Sequence, residues 1–190
     1  MELIFASHNE HKVEEIRAIL PERIRLLSLN DIGFQDEIEE TGSTLEANAQ
    51  IKAETIFQLT GKNVFADDTG LFVEALNGLP GVHSARYAGT GKFEDNIVKL
   101  LNELNGKTNR NAYFKTVICL IWEGKKYFPE GIIEGQIQEQ AVGSDGFGYD
   151  PLFLPDGFQK TFAEMTAIEK NHISHRFIAV QKLIEILENF

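Results

Sequence analysis

Residues Asn63 to Leu71 read NVFADDTGL, an apolar run (Val64-Phe65-Ala66) leading straight into two adjacent carboxylates, Asp67 and Asp68, and then the turn pair Thr69-Gly70. Such a run predicts a short buried strand that delivers its acids at the carboxyl end. Ligands of open α/β sheets bind at that end, so the two acids form a candidate cation site. A turn carrying solvated acids is the alternative, because Asp and Gly are ordinary turn formers.

Working outward, the chain upstream opens with Glu2 to Ala6, an apolar strand, followed by Ser7 to Lys12 (SHNEHK) and then VEEIRAIL at helical spacing. This is strand, polar loop, helix, with Ser7 or Asn9 placed to cap the helix. The unpaired N–H groups of a helix start suit an anion. Lys12 sits at the wrong end of the dipole for a cation, so it gains nothing locally and is expected to point at a ligand phosphate. The loop lacks the glycines of a P-loop. Residues 23 to 34 read as a short strand and turn. Next comes an acidic stretch, Asp36 to Gly42, in which Glu39 and Glu40 are either solvated loop charges or metal ligands. Thr44 to Leu59 forms an amphipathic helix with Thr44 as its cap. Lys52 on that helix would ordinarily be a surface lysine.

Downstream, residues 72 to 89 are rich in loop formers, and Phe93 to Leu104 is an amphipathic helix stopped by Asn105-Gly106. The period then changes to that of strands: Ala112 to Trp122, Lys125 to Phe128 and Gly131 to Gln138. The expected fold class is therefore α/β: an elongated mixed sheet flanked by helices, with two lobes and an active-site cleft between them. Residues 143 to 153, GSDGFGYDPLF, carry Phe147, Gly148, Tyr149 and Asp150 in a glycine-punctuated loop. Its aromatics either stack on a flat ligand or pack inward. The final segment places Lys170 and then Ser174-His175-Arg176 ahead of an amphipathic helix, which sets hydroxyl, imidazole and guanidinium donors at one edge.

Composition narrows the function. With 190 residues and 43% hydrophobic side chains, the chain holds ample material for a core. No repeat or linker-like tract divides it, so one domain spanning residues 1–190 is expected. No apolar run approaches the ~20 residues of a membrane span. The start MELIFASHNE lacks the basic, long apolar pattern of a signal peptide, which makes the cytoplasm the default expectation. Cys119, the single cysteine, lies in a strand-like run and reads as a buried inert thiol. A net charge of −11 argues against a general nucleic-acid surface. Any cations that handle phosphate must be concentrated locally.

Six segments, in order, resemble the inosine triphosphate pyrophosphatase family over nearly the whole length. They are Ser7 to Lys12, EETG with the following EAN and Lys52, ADDTGL, LPGVHSARYAG, GFGYDPLF, and Lys170 with Ser174-His175-Arg176. His8 stands where a small residue is usual in the first loop, and Thr69 follows the acid pair where Ser is usual. The resemblance implies hydrolysis of non-standard purine nucleoside triphosphates (ITP, dITP, XTP) to the monophosphate and pyrophosphate, keeping them out of DNA and RNA. It implies Mg²⁺ as cofactor, held by Asp68 with Glu40 or Glu39, and Asp68 as proton acceptor for the attacking water, supported by Asp67. Ser7, His8, Asn9, Glu10, His11, Lys12 and Lys52 would bind the substrate at its phosphates, with Arg86 closing over the tail, and Thr69 would also bind the substrate. Phe147 to Asp150 would line base and sugar, and Lys170, His175 and Arg176 would face the purine edge. A homodimer is implied as well. A relative acting on modified pyrimidine or ordinary nucleotides, and a nucleotide-binding module without turnover, are the competing readings.

Overall fold

A strand covered on both faces must be apolar throughout, and Leu3-Ile4-Phe5 meets that condition, with all three side chains buried. In the computed structural model, which describes residues 1–190, the chain runs β1 (Glu2–Phe5), α1 (Glu10–Ile19), β2 (Arg25–Ser28), α2 (Leu45–Thr60), β3 (Val64–Val73), β4 (Pro80–Gly81), α3 (Phe93–Glu103), β5 (Asn111–Trp122), β6 (Lys125–Tyr127), β7 (Glu130–Ile137), β8 (Phe153–Pro155), α4 (Ala167–Lys170) and α5 (His175–Leu187). The strands form one sheet of order β2-β1-β3-β5-β7-β8, with β4 added to β3 and β6 to β5. Parallel pairs of β1 with β2 and β3, and antiparallel pairs β3–β4, β5–β6 and β7–β8, make it the mixed, helix-flanked sheet expected from the sequence. No helix is long and apolar enough to cross a membrane.

The chain forms two compact units. The first comprises Met1–Asp68, Thr116–Gly131 and Arg176–Phe190. Its strands alternate their side chains between two apolar layers. Leu3, Phe5, Phe65, Ile118 and Leu120 pack with Val13 and Ile16 of α1 and with Ala179, Val180 and Leu183 of α5. Ile4, Ala6, Val64, Ala66, Cys119 and Ile121 pack with Ala49, Ala53 and Ile56 of α2. Helices thus cover both faces. Each large aliphatic buried this way contributes about 1.5–3 kcal/mol.

The second unit comprises Thr69–Lys115 and Ile132–His175. Leu71, Val73, Phe114, Ile137 and Phe153 from its strands pack with Leu100 and Leu104, Phe162 and Met165. Phe114 meets Phe153 edge-on at 4.8 Å, a favoured aromatic geometry.

One element differs from its sequence reading in a way that matters. The strand expected to end at the acids continues to Val73, so Thr69-Gly70 is extended chain and not a turn. Two partners explain the length. β1 pairs with Val64 and Phe65, and β4 pairs antiparallel with Leu71 and Phe72. Asp67 and Asp68 fall between, just past the carboxyl end of β1. Gly70 is required there, since a Cβ at that position would stand 2.6 Å from the Gly81 carbonyl oxygen.

Candidate active site

Because side chains alternate along β3, Asp67 and Asp68 point to opposite faces. Asp67 follows Phe65 toward α1 and α5, and Asp68 follows Ala66 toward α2. Each acid meets its own set of charges.

On the α1 and α5 face, Lys12 Nζ donates to Asp67 Oδ1 at 2.9 Å. Arg176 Nε and Nη2 both donate to Asp67 Oδ2, at 3.3 and 3.4 Å, while its Nη1 donates to Glu15. Lys12 is delivered by the first turn of α1, whose start is fixed by Asn9 accepting from the Lys12 backbone N–H. Burial by itself would lift the Asp67 carboxyl, but Lys12 and Arg176 overcome it and hold the group well below the usual carboxylate range. Asp67 is an anchor that stays charged at neutral pH.

On the α2 face, Lys52 Nζ donates to Glu40 Oε1 at 2.5 Å and lies 3.9 Å from Asp68 Oδ1. Asn48, one turn earlier on α2, donates to Asp68 Oδ2 at 3.1 Å and accepts from the Gly42 backbone N–H at 2.8 Å. Gly42 allows this closure, because a Cβ there would stand 2.7 Å from both the Ala47 Cβ and the Asn48 side-chain Oδ1. The acidic loop is therefore folded down onto α2, and Glu40 meets Lys52. Glu39 is exposed. Here burial wins: it raises the Asp68 carboxyl above its ordinary value, helped by Glu40 and opposed by Lys52 and Lys12. Two neighbouring acids are thus driven apart, one locked as an anion and one able to take up a proton.

The second unit holds a separate cluster. Asp150 Oδ2 accepts from Lys170 Nζ at 2.7 Å and from the Phe147 backbone N–H at 2.8 Å, tying the glycine-rich loop into a fixed turn. Lys170 Nζ lies 4.9 Å from the Phe147 ring centroid, and that ring is half-buried. Tyr149 packs inward and donates to the Ser84 carbonyl. Of the loop's two aromatics, Phe147 alone presents accessible ring surface.

A Ham1 family model matches residues 3–186. The chain is 53% identical to a dITP/XTP pyrophosphatase of Flavobacterium psychrophilum over the full length of both, and 47% identical to one of Bacillus subtilis over 98% of this chain and 97% of that one. Among solved structures, the Staphylococcus aureus Ham1 protein shares 39% identity with a TM-score of 0.90, covering 100% of this chain and 99% of that one. The chain belongs to the Ham1 family.

In this Ham1 family member the structure brings Lys12, Lys52, Glu40, Asp67, Asp68 and Arg176 together in the first unit, and Phe147, Asp150 and Lys170 together in the second. Other expected residues hold the framework. His8 stacks on Phe34 and approaches the Asp36 carbonyl, Ser7 accepts from the Asn9 N–H, and Glu10 takes the Asn30 amide. His11 and Arg86 are exposed, and Thr69 and Gly148 are half-buried. Two residues expected at the purine edge are placed as follows. Arg176 donates to Asp67 and Glu15. The His175 ring is buried in the second unit, stacked on Phe114 at 4.7 Å. Sequence reasoning gave no role to Glu15 or Asn48. Asn48 had a signal, a polar residue on the apolar face of an amphipathic helix, but Glu15 looks like any helix-surface acid.

Proposed function

We propose that the chain hydrolyses ITP, dITP and XTP to the nucleoside monophosphate and pyrophosphate. The observation that carries this reading is the opposed pair in β3: Asp67 anchored by Lys12 and Arg176 on one face, and Asp68 held by Asn48 beside Lys52 and Glu40 on the other. Asp68, oriented by Asn48 and facing Lys52, is placed to accept a proton from an attacking water. Water adds to the α-phosphorus, the bond from that phosphorus to the bridging oxygen breaks, pyrophosphate leaves, and the water proton passes to Asp68 and then to solvent. Lys12 and Lys52 neutralise phosphate oxygens, each retaining donors beyond those its carboxylate partner uses. The names of the relatives, all dITP/XTP pyrophosphatases, support the substrate class.

The donors also fit a magnesium ion. Glu40 and Asp68 supply hard oxygens that already share one cation, the Lys52 ammonium, and no three acidic, His or Cys side chains form a closed cage. That matches an ion that takes one or two carboxylates and completes its shell with water and phosphate. Glu40 rather than Glu39 is the ligand we assign, from its contact with Lys52. When bound, Mg²⁺ would neutralise charge on the phosphates.

In the second unit, Phe147 offers a stacking surface for a purine, and Lys170 supplies donors suited to a 6-oxo group. Adenine presents an amino donor there instead, and a buried mismatch of that kind costs about 1–3 kcal/mol. We further assign a cytoplasmic homodimer with no nucleic-acid partner, the last from the net charge of −11. Pyrophosphate release from ITP, dITP, XTP, dGTP and dTTP with and without Mg²⁺ tests the whole reading. Release from the first three, dependent on the metal, is expected; preference for dTTP or no release at all would overturn it.

A further inference from the structure

The largest of the fully buried side chains is a charged one, Arg176, and it sits in the first turn of α5. Both facts count against it. Burying a guanidinium costs hydration, and the start of a helix dipole repels a cation. Well-packed apolar residues could hold that position as firmly, so stability does not account for the arginine. Its contacts do. An arginine facing a carboxylate normally straddles it, Nε and Nη2 taking one oxygen each. Here both nitrogens converge on Asp67 Oδ2, Nη1 is drawn off by Glu15, and Oδ1 is left to Lys12.

Glu15 and Lys12 share one face of α1, three residues apart. The helix thus presents a cation to one oxygen of Asp67 and an anion to the arginine that takes the other. We infer that Glu15 is a positioning residue: by tethering Arg176 it prevents the guanidinium from straddling Asp67, and so keeps Oδ1 for Lys12 and Lys12 in place for the substrate phosphates. The final step rests on the proposed pyrophosphatase reaction. The ion-pair arrangement stands apart from it.

The test is a double-mutant cycle with two readouts. Glu15→Gln is expected to lower kcat/KM for ITP at least tenfold in the otherwise unchanged protein, and to change it less than twofold in a Lys12→Met background. A structural contribution of Glu15 would give equal losses in both backgrounds. That result, or a Glu15→Gln enzyme within threefold of the unchanged one, overturns the inference. The second readout needs no turnover. Labelling of Lys12 by a water-soluble acylating reagent, followed by mass spectrometry, is expected to rise severalfold in Glu15→Gln, and unchanged labelling would overturn the tether. If the unchanged protein released no pyrophosphate, the functional reading would fail while the labelling result still decided the tether. Should Glu15→Gln fail to fold, a Glu15→Met, Arg176→Met double variant removes both charges. It is expected to leave Lys12 as protected as in the unchanged protein, and increased labelling would count against the inference.

Discussion

Asp68 is held by Asn48 on one oxygen and faces Lys52 with the other, so replacing it with Asn keeps the shape and removes the proposed proton acceptor. Asp68→Asn is expected to reduce kcat for ITP by about a hundred- to ten-thousand-fold, the range for loss of a general base. Steady-state kinetics check this, and a near-normal rate would remove Asp68 from the reaction. Asp67 predicts a different outcome. Asp67→Asn strands Arg176 and Lys12 beside a neutral group, which should cost about 3–5 kcal/mol of stability at pH 7. The folded-state value of Asp67 is depressed, so its stabilising contribution is complete above the unfolded value near 3.8 and is lost as pH falls through the lower folded value. The gap between variant and unchanged protein in urea denaturation should therefore narrow below pH 3.8. A gap that stays constant into acid would show that charge pairing is not its source.

Among the elements, the loop around Phe147 shows how a backbone constraint supports a binding surface. Gly146 has φ +76°, and a Cβ there would stand 2.2 Å from Asp150 Oδ2, the atom that ties the loop to Lys170. Gly146→Ala is expected to cost about 1–3 kcal/mol through backbone strain. It should also raise KM for ITP, because Phe147 and Lys170 lose their common anchor. Thermal melting and initial rates measure the two effects, and an unchanged KM would detach this loop from the substrate. The boundaries of the longer helices and strands were legible in the chain to within a few residues, whereas the short β4, β8 and α4 were not. Thr44 caps α2, and Asn9 caps α1, as the sequence suggests. β3 was not, because Thr69-Gly70 looks like a turn until β4 pairs beyond it.

On the scale of the whole molecule, an acidic protein handles an anionic substrate with a few cations, and each of these is already paired with a carboxylate. Catalysis should then depend on a divalent ion to offset the remaining negative charge. Chelation of Mg²⁺ is expected to abolish pyrophosphate release, with recovery on adding the ion back; full activity in chelator would exclude the assigned Glu40 and Asp68 site.

The sequence by itself determined the alternation of strands and helices, the buried apolar layers, the presence of a double acid near the middle and the family to which the chain belongs. These follow from local period, turn chemistry and residue order, all of which survive in one dimension. Only the tertiary structure decided that Asp67 and Asp68 serve opposite faces, that Glu40 rather than Glu39 meets Lys52, and that Arg176 turns toward an acid on α1. Those choices depend on what packs against each face of β3, and the groups concerned come from segments as far as 161 residues apart, between Glu15 and Arg176. Charge that must be buried takes whichever partner the fold brings within reach.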